Sequence, residues 1–267
     1  MATACQSSNK AKIARRVVEV LEFFDEDNPE ATVMDIVRRY DRPQSSTSEL
    51  LSSLVELGIL HKDPSKRSYR PTVRAALLGT ESMDDVVRDG RMTRFMDRLY
   101  SKTESPVVLF GKIDLESQIV AVRRGEKHTG PAITDLYGGS REPLTASAAG
   151  LLLLSTLPPE MRARAIRRLN SEANERDKFD YSEMTDRVAQ CAERKSAFGP
   201  VGFGSRAAAV TALLPCRPQE HPLVVGIVTE DGSAAAREAH LHIIDDAVRN
   251  CLWMRSAAPA HDMLTAA

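Results

Sequence analysis

With 267 residues the chain is long enough for two domains, and 36 Lys and Arg against 37 Asp and Glu leave a net charge of −1, unlike the overall basic charge usual in dedicated nucleic-acid modules. No apolar run approaches the length of a membrane span, and the start MATACQSSNK lacks the apolar stretch of a signal peptide. Four cysteines (Cys5, Cys191, Cys216, Cys251) stand far apart with no CxxC pair, which argues against a zinc site or a disulfide scaffold and fits a reducing cytoplasm.

Residues 1–10 read as a loose polar tail. An amphipathic helix follows over 13–24, with Ile13, Val17, Val20, Leu21 and Phe24 on one face and Arg15, Arg16, Glu19 and Glu22 elsewhere. Residues 32–40 form a second helix, with Val33, Ile36, Val37 and Tyr40 at helical spacing. Asp41-Arg42-Pro43 breaks it, because a proline disfavours helix in the residue before it and tolerates helix at its own first turn. The third helix opens on Gln44-Ser45-Ser46-Thr47-Ser48, turns apolar at Leu50, Leu51, Leu54, Val55 and Leu57, and ends at Gly58. Two strands, 59–63 and 68–71, flank a Pro64-Ser65-Lys66-Arg67 turn. This order is a winged helix-turn-helix, whose second helix enters the major groove while the wing tracks phosphates.

A helical connector over 73–100 is interrupted at Gly79 and Gly90, so two or three pieces are expected. Beyond Ser105 come a hairpin of strands 107–111 and 118–122 and a short strand at 133–137. Helices over 146–156, 160–169 and 181–197, strands near 200–203, 207–214 and 223–229, and a closing helix over 235–254 complete the pattern. The expected organisation is a DNA-binding domain (11–72), a helical linker (73–100), a second domain (101–256) and a flexible tail (257–267). The fold class is α+β, with the second domain a mostly antiparallel sheet covered by helices.

Over nearly its full length the chain resembles the IclR family of bacterial transcriptional regulators. The resemblance rests on Ser46-Thr47, Leu50-Leu51, Leu54, Leu57-Gly58 and Tyr69 in the head. In the second domain it rests on the segment Glu142-Pro143-Leu144-Thr145-Ala146-Ser147-Ala148-Ala149-Gly150-Leu151. It implies a GAF-like effector domain, small organic or aromatic acids as effectors, and a homodimer or homotetramer. Glu49 departs from a frequent arginine, Thr145 from a histidine, Leu151 from a lysine, and Ile227 falls at a commonly polar position.

Candidate DNA contacts are Gln44, Ser45, Ser46, Thr47 and Ser48, with Arg42, Lys62, Lys66, Arg67 and Arg70 on phosphates. Gln44 and Ser45 fit helix capping as well as base contact; Thr47 and Ser48, deeper in the helix, fit contact better. Candidate effector residues are Thr145, Ser147, Ala148 and Ala149, where free N–H groups at a helix start suit a carboxylate. Small residues there equally permit tight helix–sheet packing. The resemblance adds Ala209 and Thr229; Arg206 beside that strand reads as a surface arginine. The stretch 199–205 reads as a turn into a strand, since it lacks the Gly-Lys-Ser/Thr ending of a phosphate loop. The expected partners are an operator in double-stranded DNA, a small carboxylic-acid effector and further copies of the chain; no cofactor, metal or membrane is expected. Two other readings stay open: a regulator acting chiefly by protein contact, motivated by Glu49 and the neutral charge, and an enzyme using Cys191 or Cys216 as nucleophile.

Overall fold

A computed structural model describes residues 9–25, 28–79, 85–124, 136–215 and 221–252, with 9–11 as backbone only. The expected N-terminal tail through residue 8, residues 133–135 of the strand at 133–137, the end of the closing helix beyond 252, the flexible tail, and Cys5 and Cys216 lie outside the described residues. The chain divides into two compact units between Arg88 and Asp89, so the connector expected over 73–100 is shared between them.

The first unit is a three-helix core with a wing. Helices α1 (Asn9–Phe23), α2 (Val33–Tyr40) and α3 (Gln44–Glu56) are followed by β1 (Leu60–Asp63) and β2 (Ser68–Pro71), then by short helices α4 (Val73–Leu77) and α5 (Asp85–Arg88). Helix α2 starts on a capping box: the Thr32 N–H donates to Asp35 Oδ2 at 2.8 Å and the Asp35 N–H donates to Thr32 Oγ1 at 3.4 Å. It stops at Asp41, whose φ of 48° turns the chain left-handed, and Pro43 opens α3. Gly58, at φ +70°, ends α3 as the Gly58 N–H reaches the Val55 carbonyl and the Ile59 N–H the Leu54 carbonyl, both at 2.9 Å. Val20, Ile36, Leu51, Leu54, Leu60 and Tyr69 fill the core. Ala31 and Tyr69 exchange backbone hydrogen bonds at 2.9 and 2.7 Å, which ties the wing to the chain entering α2.

The second unit is a six-stranded sheet in the order β5-β4-β3-β8-β7-β6, every neighbouring pair antiparallel. Its strands are β3 (Val107–Ile113), β4 (Glu116–Arg123), β5 (Arg141–Pro143), β6 (Ser196–Gly202), β7 (Ser205–Leu213) and β8 (Leu223–Thr229). Strand alternation separates two apolar layers. On one face Val108, Phe110, Ala209, Val224 and Val228 meet α7 (Ala148–Ser155), α8 (Pro159–Glu172) and α9 (Tyr181–Arg194). On the other, Val107, Leu109, Val225 and Ile227 meet α6 (Arg91–Thr103) and α10 (Ala234–Ala247), so the last helix of the expected connector belongs to this core through Phe95, Met96 and Leu99.

Three expectations change. Residues 136 and 137 are not in a strand; the pairing partner of β4 is the three-residue β5. Residues 199–202 run inside β6, and Phe203-Gly204 alone make the turn into β7. Helix α10 ends in a π-helical turn, Val248–Leu252, whose last carbonyl accepts from the Arg91 guanidinium at 3.0 Å. Among the described residues no helix is long and apolar enough to cross a membrane.

Candidate nucleic-acid interface and effector face

Helix α3 has a buried face and an outward one. Leu51 and Leu54 are buried, and so is Thr47, at 1% exposure. Gln44, Ser45, Glu49, Ser52, Ser53 and Glu56 are exposed and Ser48 half-buried. Hydroxyl bonding divides the polar residues further. Thr47 Oγ1 donates to the Pro43 carbonyl at 2.9 Å, Ser46 Oγ to the same carbonyl at 3.2 Å, and Ser52 and Ser53 to the carbonyls of Ser48 and Glu49. Gln44, Ser45 and Ser48 make no side-chain hydrogen bond with described residues and keep full capacity toward base edges.

Thr47 is therefore a correction. A side chain inside the three-helix core, bonded to a backbone carbonyl, cannot reach a base without unwinding the first turn of α3. Ser46 is half-buried and accepts from Arg16 at 3.2 Å. Pro43 is the N-cap and offers no side-chain acceptor, so Gln44 and Ser45 are not caps.

The cations lie to either side of α3 in the chain. Arg42 pairs with Glu19 at 2.9 Å. In the wing, Asp63 Oδ1 accepts from Ser65 N and Oγ and from Lys66 N; these bonds hold its carboxyl below the usual range and shape the tip, with Arg67 left-handed at φ 55°. Lys66 bonds Glu30 at 3.0 Å and Lys62 lies 5.6 Å from the Tyr69 ring centre. Arg67 and Arg70 are exposed and meet no described acid. Chain reading missed a further group: Lys12, Arg15 and Arg16 of α1 line a cleft of about 470 Å³ together with Ile13, Arg42, Pro43 and Ser46. Their position off the apolar face of α1 was visible; their convergence on α3 depends on tertiary packing.

In the second unit the start of α7 is filled by its own chain. Ser147 Oγ accepts from the Gly150 N–H at 3.2 Å as the N-cap, and Ala148 and Ala149 are buried. A Cβ on Gly150 would lie 2.2 Å from the Leu144 carbonyl oxygen, and Ala148 Cβ lies 3.5 Å from the Cβ position of Gly199. The small residues thus serve close helix–sheet packing, and Thr145, half-buried, is the candidate left at the rim. Thr229 is a second correction. Ala209 pairs with Val228 on the α7 face, so alternation puts Thr229 with Val225 and Ile227 on the other, where its hydroxyl donates to the Asp231 carbonyl at 3.2 Å.

Glu142, on β5, is a half-buried acid that residue patterns did not single out. Its Oε2 accepts from the Phe203 N–H at 2.6 Å, and the Ser147 hydroxyl also bonds it, while Oε1 has no partner among the described residues. Burial pushes its pKa up, against both hydrogen bonds. A raised carboxyl pKa contributes stability that is full below the ordinary glutamate value of about 4.3 and lost as pH rises through the higher folded value. Glu142→Gln is expected to raise the thermal midpoint above wild type at pH 8, with the gap closing as pH falls toward about 4.3; a constant gap across this range contradicts the assignment.

Burial, outweighing Arg187 and Arg194, pushes the Cys191 thiol up, opposite to what a nucleophile requires. Among the described residues no cluster of His, Cys, Asp and Glu could hold a metal.

Three helices and a wing, with a polar outward face on the third helix, are the architecture of a winged helix-turn-helix domain. Residues 14–64 match the IclR helix-turn-helix domain. No curated protein matches the chain significantly. Among solved structures it is similar to an IclR homolog from Microbacterium hydrocarbonoxydans complexed with 4-hydroxybenzoate, at 19% identity over 90% of this chain and 97% of that one, with a TM-score of 0.55. It is also similar to IclR from Thermotoga maritima (14%, 90% and 97%, TM-score 0.58) and an IclR-type regulator from Alicyclobacillus acidocaldarius (16%, 90% and 96%, TM-score 0.57). The head is an IclR helix-turn-helix domain, and the chain has the two-domain fold of IclR-family transcriptional regulators.

Proposed function

We propose that this chain is a ligand-responsive transcriptional regulator. It reads duplex DNA through Gln44, Ser45 and Ser48 and holds phosphates through Arg42, Lys62, Lys66, Arg67 and Arg70. The observation that carries this reading is the outward face of α3, whose side chains have open hydrogen-bonding capacity beside exposed wing cations. It acts in the cytoplasm as a homodimer or homotetramer; exposed Val73, Leu77 and Leu78 on the 73–100 connector and Ile13 and Val18 on α1 support contact with a second copy. Two recognition helices would then meet half-sites about one helical turn apart.

The effector is a small organic or aromatic acid that controls a catabolic or metabolic operon. The 4-hydroxybenzoate held by the Microbacterium relative supports that class. It binds at the mouth of the α7 start, near Thr145, and the closely packed Ser147, Ala148 and Ala149 must shift to admit it, which couples occupancy to conformation. The test is affinity for the DNA flanking the chain's own gene, with and without 4-hydroxybenzoate and other small acids. The expected result is a change of roughly 5- to 150-fold with one of them; acids that bind without altering DNA affinity overturn the regulatory link.

A second reading, regulation chiefly through protein contact, is favoured by one observation: α3 has no Lys or Arg and turns Glu49 and Glu56 outward. An assembly that forms normally yet prefers no duplex sequence would favour it.

A further inference from the structure

Helix α3 brings no positive charge to a polyanion, and its two outward acids oppose one. The wing does not fully compensate, because Lys66 is held by Glu30 and Asp63 sits at the tip. Yet a cleft of about 470 Å³ opens at the N-terminal end of α3, and four of its lining side chains are Lys12, Arg15, Arg16 and Arg42. Of these cations Arg42 alone faces an acid, Glu19, while Lys12 and Arg15 are exposed and have no partner among the described residues. Arg16 is held in place by its bond to Ser46 Oγ at 3.2 Å. On the α3 side, the Pro43 N-cap provides no side-chain acceptor for the first-turn N–H groups, so the positive end of the helix dipole adds to the same concavity.

From this placement we infer that the α1–α3 cleft is a second phosphate-binding site for the backbone of duplex DNA, formed by Lys12, Arg15 and Arg16 with the α3 N-terminus. The inference rests on the DNA-binding reading and deepens it. Cations at the N-terminal end of α3 and in the wing that follows its C-terminal end bracket a helix that reads bases but does not itself attract phosphates. The ligand chemistry is a phosphodiester: the cleft is wide and open-sided, its cations are long and rotatable, and it adjoins the face that carries Gln44 and Ser45.

The test uses the full chain and a fixed duplex across a salt series. Lys12→Gln/Arg15→Gln changes two exposed side chains, so the thermal midpoint should stay at the wild-type value. Its affinity is expected to fall about tenfold or more at 0.1 M salt, equally for specific and scrambled duplexes. The slope of log K against log salt should become shallower by roughly 2, close to 0.9 per phosphate lost. Arg164→Gln/Arg176→Gln, which removes two exposed cations from the second unit, should leave the slope unchanged. Arg15→Glu should weaken binding more than Arg15→Gln. Wild-type affinity and slope in the Lys12/Arg15 variant, with the wild type binding duplex normally, would overturn the cleft while leaving the DNA reading intact. A wild type that binds no duplex even at low salt overturns both.

Discussion

Gly150→Ala is expected to destabilise the second unit by about 3 kcal/mol or more, at the upper end of overpacking costs. The added Cβ would lie 2.2 Å from the Leu144 carbonyl oxygen and 2.8 Å from its carbon, and both partners are backbone atoms. Relief requires moving the start of α7 away from residues 143–147, which also breaks the Ser147 cap and withdraws the hydroxyl that bonds Glu142. Hydrogen exchange at the amides of α7 should accelerate, while those of α2 and α3, in the other compact unit, keep wild-type rates. Gly139→Ala is the control. Its φ of +80° gives strain of about 1–2 kcal/mol, but its Cβ would meet nothing within 4 Å. Equal effects of the two substitutions would show that close packing at Gly150 is not what holds α7.

The second large effect concerns recognition. Ser45→Ala/Ser48→Ala removes two outward hydroxyls without touching the core, so the fold should persist. Each base contact is worth about 1–3 kcal/mol of discrimination, so the ratio of specific to scrambled affinity should fall on the order of a hundredfold. Affinity for scrambled duplex should hardly change. Thr47→Ala should behave in the opposite way, lowering the thermal midpoint of the head while sparing discrimination in the protein that remains folded, because Thr47 packs inside and bonds the Pro43 carbonyl. Loss of discrimination in Thr47→Ala without loss of stability would contradict its placement.

The head was largely legible because its boundaries carry strong local signals. Thr32, Asp41-Arg42-Pro43 and Gly58 each fix a backbone state that few residues adopt, and helix and strand bounds followed within a few residues. The two misplaced residues were legible in principle. Thr47 stands four before Leu51 and seven before Leu54, the spacing of one helical face, a phase that its polar hydroxyl masks. Thr229 shares parity with Val225 and Ile227, so Ala209 and Thr229 could face one pocket only if the pleat were broken. Other features had no local signal. Strand β5 is three residues long and exists because it pairs with β4, and the environment of Glu142 is made by Phe203, far along the chain. The basic cleft likewise needs α1 laid against the turn before α3, an arrangement set by packing rather than spacing.

The most direct test of DNA reading by this head is selection of bound duplexes from a random-sequence pool by the full chain at physiological salt. The expected outcome is one enriched motif, arranged as two related half-sites about one helical turn or a multiple apart, recovered by wild type and lost in Ser45→Ala/Ser48→Ala. Recovery of duplexes without sequence preference, at equal yield for both proteins, would contradict the assignment of α3 as a recognition helix.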